Sequence, residues 1–332
     1  MRFVSATLLL VLAAGSDQPA GYHLVKTVPV PGDGGWDYVS VDAAGRRVYI
    51  SHANKVDVLD ADTFEVKGSI ADTAGVHGIA VAPELNRGFT SNGRANTVTI
   101  FDLKTLKSEG VVQTGRNPDS IIYDPATKRV FAFNGGGKST TVIDAAEGKV
   151  VATLDLGGQP EFAAADGKGH VFVNVEDKNE VLKLDAEKPA ILEHWPLAPG
   201  ATPTGMSMDR ANRRLFVGCR NKMLIVVNAD NGKVIDSLPI NERVDATAYD
   251  PETKLVYASN GDGTVNIFRQ ETADKYVAEG VLKTRVGSKT MGLDLKSHRL
   301  FIPAAEFKAA ASNTRGRPAM VTGSFVVLVY EK

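Results

Sequence analysis

A single sequence unit recurs seven times along this chain of 332 residues. Each copy holds a short apolar strand, a tight turn and a second apolar strand that carries an aromatic residue. The residue that opens the turn recurs at intervals of 40 to 44 residues. The seven turn residues are Asp42, Ala82, Asp124, Asp166, Asp209, Asp250 and Asp294. Such a period is typical of repeat folds, in which each unit buries its apolar faces against its neighbours.

Each copy contains enough sequence for four strands. The second strand holds the aromatic residue, the third is an apolar run such as "VTIFD", and the fourth follows a turn, as in "GKVVATL". One four-stranded unit cannot bury both of its faces, whereas seven units arranged in a ring can. The sequence therefore predicts an all-β fold, a seven-bladed β-propeller of four-stranded blades.

The two ends of the repeat region are complementary. The last copy ends with its third strand, "SFVVLVYEK", and lacks a fourth, while an additional strand, "YHLVKTVPV", precedes the first copy. We expect this N-terminal strand to complete the last blade and close the ring. Residues 22–332 are then one domain, although 332 residues would ordinarily suggest two or three.

Residues 1–15, "MRFVSATLLLVLAAG", have a basic start, an apolar run and small residues near the end. This pattern is typical of a signal peptide, so we expect a periplasmic or secreted protein. The run is short for a bilayer, and no membrane span is expected elsewhere.

With one cysteine, Cys219, no intramolecular disulfide can form. We expect a monomer.

The position five residues before each turn residue is polar in every copy. These residues are Asp37, His77, Asp119, Glu161, Thr204, Asp245 and Lys289, of which six are ionisable. An unpaired buried charge costs several kcal/mol, so these side chains should face water, an opposite charge or a ligand. They should ring the mouth of the central channel, which we predict to be a binding site for a small or extended ligand.

The loops between the second and third strands should open on the same face. They contribute a second polar set, which is His52, Asn92, Asn134, Glu176, Arg220, Asn260 and Glu306. Trp36 lies beside Asp37, either as a stacking wall for a ligand or as a wedge between blades. The candidate site residues are Trp36, Asp37, His52, His77, Asp119, Glu161, Arg220, Asp245, Lys289 and Glu306.

Two chemistries are compatible with these residues. His52 and His77, from adjacent blades, would bind a divalent transition metal together with Asp37 or Glu306. Alternatively, the same groups would serve as acid and base, with Arg220 or Lys289 holding a substrate carboxylate, as in lactone hydrolysis or cyclisation. Polar residues at these positions also have a structural interpretation, as hydrogen-bond partners of neighbouring backbone and channel water.

The seventh copy has an unusually long segment, Ala304–Gly323, between its second and third strands. It carries Glu306, Lys308, Arg315 and Arg317, and loops of this length in a compact domain are usually functional or disordered. We predict that it forms a flap over the mouth.

The sequence of the repeats resembles the YVTN/YncE-type bacterial propellers, as in "TTVIDAAEGKVVATLDLGGQPEF". More specifically, it resembles a secreted YncE-like subfamily, as in "WDYVSVD" and "SNGDGT". The resemblance covers nearly all of residues 22–332. It implies a binding role, or an activity like that of related lactonases and a muconate-cyclising propeller. A relative that binds single-stranded DNA makes a nucleic-acid or protein scaffold a further alternative. The near balance of 38 basic and 39 acidic residues disfavours nucleic acid as the partner.

Overall fold

The computed structural model describes residues 21–308 and 319–332, which form seven four-stranded antiparallel sheets. The seven-bladed β-propeller predicted from the repeats is therefore confirmed. The proposed signal peptide, residues 1–15, lies outside the described residues. No helix in the described ranges is long and apolar enough to cross a membrane.

In blades 1 to 6, four consecutive strands run from the channel outwards, and the first strands of neighbouring blades contact each other. Blade 1 contains β2 (Trp36–Asp42), β3 (Arg47–His52), β4 (Lys55–Asp60) and β5 (Val66–Ile70). Blade 2 contains β6 (Val76–Ala82), β7 (Arg87–Asn92), β8 (Thr97–Asp102) and β9 (Ser108–Gln113). Blade 3 contains β10 (Pro118–Asp124), β11 (Arg129–Asn134), β12 (Ser139–Asp144) and β13 (Lys149–Asp155).

Blade 4 contains β14 (Pro160–Ala165), β15 (His170–Val175), β16 (Glu180–Asp185) and β17 (Ala190–Pro196). Blade 5 contains β18 (Pro203–Asp209), β19 (Arg214–Cys219), β20 (Met223–Asn228) and β21 (Val234–Pro239). Blade 6 contains β22 (Val244–Asp250), β23 (Leu255–Asn260), β24 (Thr264–Thr272) and β25 (Lys275–Lys283). Short 3-10 helices span Pro83–Leu85 and Glu176–Lys178.

Blade 7 combines the two ends of the chain. It contains β26 (Gly292–Leu293), β27 (Leu300–Ala304) and β28 (Val326–Glu331), and its outer strand is β1 (His23–Pro29). β1 pairs antiparallel with β28, from His23 opposite Glu331 to Pro29 opposite Val326. The predicted closure of the ring by the N-terminal strand is confirmed, and it protects an edge that would otherwise be open.

The core lies between blades. The aromatic residue that recurs in the second strand is fully buried in every blade; these residues are Tyr49, Phe89, Phe131, Phe172, Phe216, Tyr257 and Phe301. Between blades 7 and 1, for example, Phe301 and Val329 pack with Val48 and Ile50. Full burial of each such side chain contributes roughly 1.5–3 kcal/mol, so the ring is stabilised mainly at these contacts.

The recurring turn residue has a structural role on one face of the ring, which we call the lower face. Asp209 accepts hydrogen bonds from the backbone N–H groups of Ala211 and Asn212. Asp294 binds both terminal nitrogens of Arg46 at 2.7 and 2.9 Å, which joins blades 7 and 1. These buried carboxylates are paired, as buried charges must be.

Candidate functional site at the upper mouth of the channel

The polar residues predicted to ring the channel begin the innermost strands on the opposite, upper face. In blades 1 to 6 the pairing of the first and second strands breaks register around this position. Such irregularities redirect a side chain, so the same local break recurs wherever a polar residue meets the channel. Lys289 lies just before the short strand β26. Thr204 is buried and donates a hydrogen bond to the carbonyl of Val244 at 3.0 Å.

Asp37, His77 and Asp119, from blades 1 to 3, converge at the mouth. Nδ1 of His77 lies 2.7 Å from Oδ2 of Asp37 and 3.7 Å from Oδ1 of Asp119. One ligand atom from each residue lies within 4.8 Å of the other two. We call these residues the mouth triad. All three side chains are partly buried, so they are held in place but reachable from the channel.

Two cations lie at the mouth, and one of them, Lys289, contacts the mouth triad. Nζ of Lys289 is 2.6 Å from Oδ2 of Asp245 and 3.2 Å from Oδ1 of Asp37. Arg220 binds Oε1 of Glu176 at 2.7 Å and lies 3.7 Å from Oδ1 of Asp245. Among the described residues, no lysine or arginine nitrogen lies within 4.0 Å of Asp119, whose charged neighbour at that distance is His77. The lysine and arginine side chains therefore pair with carboxylates on one side of the mouth. Asp119 has no such partner among the described residues.

The pKa directions reflect this imbalance. Burial would raise the pKa of Asp37, but its contacts with His77 and Lys289 lower it. Burial raises the pKa of Asp119, and the charge of Asp37 adds to the shift although His77 opposes it. Burial would lower the pKa of His77, but the hydrogen bond to Asp37 and the nearby carboxylates raise it. A proton therefore lies between His77 and Asp37. A metal ion would have to displace this proton to bind both residues.

Glu161 is the most strongly perturbed carboxyl of the mouth. Burial raises its pKa, and the neighbouring Asp119 and a hydrogen bond with Glu176 raise it further. The raised pKa favours the neutral form of Glu161 over a wider pH range than that of an ordinary glutamate.

Two aromatic residues stack on each other in the channel, directly below the mouth. Tyr38 of blade 1 and Phe162 of blade 4 stack with ring centroids 4.4 Å apart and an interplanar angle of 24°. The Tyr38 hydroxyl is buried and makes no hydrogen bond to any described residue. Burial, followed by the charge of Asp119, raises its pKa well above the ordinary value.

Sequence reasoning missed this pair, although a signal was present. Tyr38 and Phe162 follow Asp37 and Glu161, at a repeat position that otherwise holds small residues. The other five residues at this position are Gly78, Ser120, Gly205, Ala246 and Thr290.

The structure does not bring His52 together with His77 at the mouth, and the metal-ligand group there contains Asp37 and Asp119 instead. The His52 side chain is 0% exposed, Nδ1 lies 2.8 Å from Oδ2 of Asp57, and the ring packs 4.1 Å from Phe325. It ends the second strand of its blade, where other blades carry a buried asparagine that bonds to the third strand. Asn92 donates to Thr99, Asn134 to Thr141 and Asn260 to Asn266, all within 3.1 Å. The His52–Asp57 hydrogen bond is therefore the equivalent, in blade 1, of these asparagine hydrogen bonds.

The remaining candidates divide between structure and solvent. Trp36 packs between Phe325 and Phe307, at centroid distances of 5.3 and 6.2 Å, so the structure supports the wedge between blades 7 and 1. Glu306 is exposed and contributes its backbone to the base of the long segment. Phe307 pairs with Met320 at that base. Residues 309–318, with Arg315 and Arg317, lie outside the described residues, so the flap stays a prediction.

Cys219 is fully buried in blade 5, and burial raises the pKa of its thiol to about 12. It is therefore a packing residue.

Comparison with known proteins shows the fold and no closer relationship. No protein-family model matches the chain, and no curated protein matches it. Among the solved structures that match is hydrazine synthase of Kuenenia stuttgartiensis, with a TM-score of 0.69 and 17% sequence identity. That match covers 89% of this chain and 96% of the other. At this identity it shows architecture alone, and the chain is a β-propeller.

Proposed function

We propose that the protein is an exported propeller that binds a divalent transition-metal ion at the mouth triad, and through it a small ligand. The observation that carries the proposal is the convergence of Asp37, His77 and Asp119, whose ligand atoms lie within 4.8 Å of one another. Imidazole and carboxylate donors suit ions such as Zn²⁺, Mn²⁺ or Fe²⁺. The proposed set of metal ligands thus contains Asp119 in place of His52.

The charges around the mouth support a dication. Five carboxyl groups face two fixed cations, Lys289 and Arg220. The five are Asp37, Asp119, Glu161, Glu176 and Asp245. With Glu161 protonated and His77 neutral as a metal ligand, four negative charges remain, and a divalent ion together with the two side-chain cations balances them. Like charges at this separation repel unless a cation offsets them.

Three protein ligands leave a coordination position for water or a ligand, as in metal sites that bind exogenous molecules. The stacked Tyr38 and Phe162 close the channel below, so such a ligand would approach from the upper face. The excess of carboxylates gives no support for a polyanion such as single-stranded DNA.

The test is isothermal titration of Zn²⁺ and Mn²⁺ into the chelator-treated mature chain. We expect one site in the wild type and a loss of affinity of at least 100-fold in His77→Ala. The matched control is His298→Asn. His298 forms the same kind of pair with Asp250 on the lower face, at 2.6 Å, and its side chain is 28% exposed against 29% for His77. Asparagine tolerates its positive φ of 59°. Equal binding in both variants, or none in the wild type, would contradict the proposal.

Export is the second component of the proposal. It is supported by the pattern of residues 1–15 and by the resemblance to secreted YncE-like propellers. Expression of the full chain in a Gram-negative host, followed by fractionation and intact-mass measurement, checks it. A cytoplasmic protein that retains residues 1–15 would contradict export and leave the metal site untouched.

A hydrolase or cyclase that acts on lactone-like acids is the second candidate function. The feature that favours it is Glu161, whose pKa is raised by burial and by the neighbouring Asp119, as suits a general acid. Lactone turnover by the Zn²⁺-loaded wild type that falls at least 100-fold in Glu161→Gln would support catalysis. Metal binding without lactone turnover would contradict the enzyme and favour a binding protein.

A further inference from the structure

The channel contains a cavity on the lower side of the Tyr38–Phe162 pair. It has a volume of about 380 Å³ and is lined by the first strands of blades 1 to 5. We call it the lower channel. Its walls include Tyr38, Phe162, Ala80, Ala164, Met208 and Arg210. A volume of this size lies at the lower end of the range of small-molecule sites.

The space exists because the inner strands carry small residues below the aromatic pair. Ala80 and Ala164 line the cavity where bulkier side chains would fill it, and Ser40 holds the same repeat position in blade 1. Tyr38, Phe162 and Met208 give the cavity apolar surface, and sulfur and aromatic groups pack well against planar ligands. The lower channel is therefore suited to a small molecule with a flat apolar part.

Arg210 supplies a charge at the lower rim. It follows β18, and its Nε donates a hydrogen bond to the carbonyl of Ala165 at the end of β14, at 2.9 Å. Among the described residues, no carboxylate lies within 4.0 Å of its guanidinium. By contrast, Arg46 and Arg213 on the same face each bind two carboxylates. Arg210 is thus anchored through one nitrogen, and its two terminal nitrogens remain for a planar anion.

We propose that the lower channel binds a small aromatic acid, a carboxylate or sulfonate. Its ring would lie against Tyr38, Phe162 and Met208, and its acid group would pair with Arg210. The stacked aromatic pair separates this site from the mouth triad. Binding here therefore does not depend on a metal at the mouth and does not rest on the proposed function.

The test uses the mature chain and the fluorescent probe 1-anilinonaphthalene-8-sulfonate, with the uncharged N-phenyl-1-naphthylamine as a second probe. We expect one saturable site in the wild type. Arg210→Gln should weaken sulfonate binding about tenfold, in proportion to the loss of a charge-assisted contact, and leave the uncharged probe unchanged. Ala164→Phe, which fills the cavity, should abolish binding of both probes.

Arg116→Gln is the matched control. The Nε of Arg116 also donates to a backbone carbonyl, that of Gly136, at 2.9 Å, but this residue does not line the lower channel. Thermal unfolding of each variant checks that the fold is retained, and Arg210 is exposed enough for its substitution to be tolerated. Sulfonate binding that is equal in wild type and Arg210→Gln, or that persists in folded Ala164→Phe, would overturn the proposal. So would the absence of saturable binding in the wild type.

Discussion

Tyr38 of blade 1 stacks on Phe162 of blade 4, with ring centroids 4.4 Å apart, across the axis of the propeller. The pair divides the channel into an upper mouth, where carboxylates and His77 converge, and a lower channel with small side chains and Arg210 at its rim. Two sites of different chemistry can therefore exist on one axis without contact between their ligands.

The aromatic pair should contribute measurably to stability. Phe162→Ala removes the stacking contact and part of the packing of its cluster, so we expect a loss of about 2 kcal/mol in the free energy of unfolding. Urea denaturation measures it. Phe307→Ala is the control, because Phe307 also contacts an aromatic residue but is exposed. A loss no larger than that of the control would show that the pair does not brace the channel.

Glu161 should make the protein less stable as the pH rises. Its folded-state pKa is raised, so its contribution to stability is full below its ordinary pKa, near 4.3, and is lost as the pH rises through the raised value. Glu161→Gln removes this loss. We expect the variant to be more stable than the wild type by roughly 1–2 kcal/mol at pH 8, with the difference vanishing near pH 4. Thermal unfolding at both pH values checks this, and a variant that is less stable at pH 8 would contradict it.

We expect Lys289 to compete with a metal ion for Asp37. Lys289→Met should lower the stability of the metal-free protein by about 2 kcal/mol, because Asp37 and Asp245 lose a partner. The same change should tighten Zn²⁺ binding several-fold, since it removes a nearby positive charge. Calorimetric titration and denaturation give the two numbers. Lys138→Met, which breaks the exposed pair with Asp177, should change neither by much. Weaker Zn²⁺ binding in Lys289→Met would mean that the ion lies elsewhere.

His52 should behave as a structural residue. His52→Ala leaves Asp57 buried beside Lys55 alone, and we expect a loss of about 2 kcal/mol. His52→Asn restores the donor used in blades 2, 3 and 6 and should lose less than half of that. Neither change should alter the metal content, which elemental analysis measures. A loss of bound metal in His52→Asn would return His52 to the ligand set.

The fold was predictable from the sequence because the same pattern of strands and turns occurs seven times. The periodic turn residues, the recurring buried aromatic and the complementary ends each follow from one-dimensional spacing. Asp37, His77 and Asp119 could be placed together for the same reason, since equal positions in adjacent blades meet at the channel.

The rest of the site depends on side-chain direction, which spacing does not specify. His52 lies one strand from the mouth, yet its ring turns between blades and bonds to Asp57. The Tyr38–Phe162 contact joins blades that are three repeats apart, so no local pattern predicts it. Equivalent repeat positions carry a signal in both cases, because His52 aligns with asparagines and the two aromatic residues align with small residues.

The most direct test of a metal ion held by the mouth triad is anomalous diffraction from crystals of the mature chain soaked in Co²⁺ or Zn²⁺, recorded on both sides of the absorption edge. We expect an anomalous peak about 2.0–2.2 Å from Nδ1 of His77 and from a carboxylate oxygen of Asp37 and of Asp119. A fully soaked crystal with no peak at the mouth, or with its peak at another histidine, would contradict it.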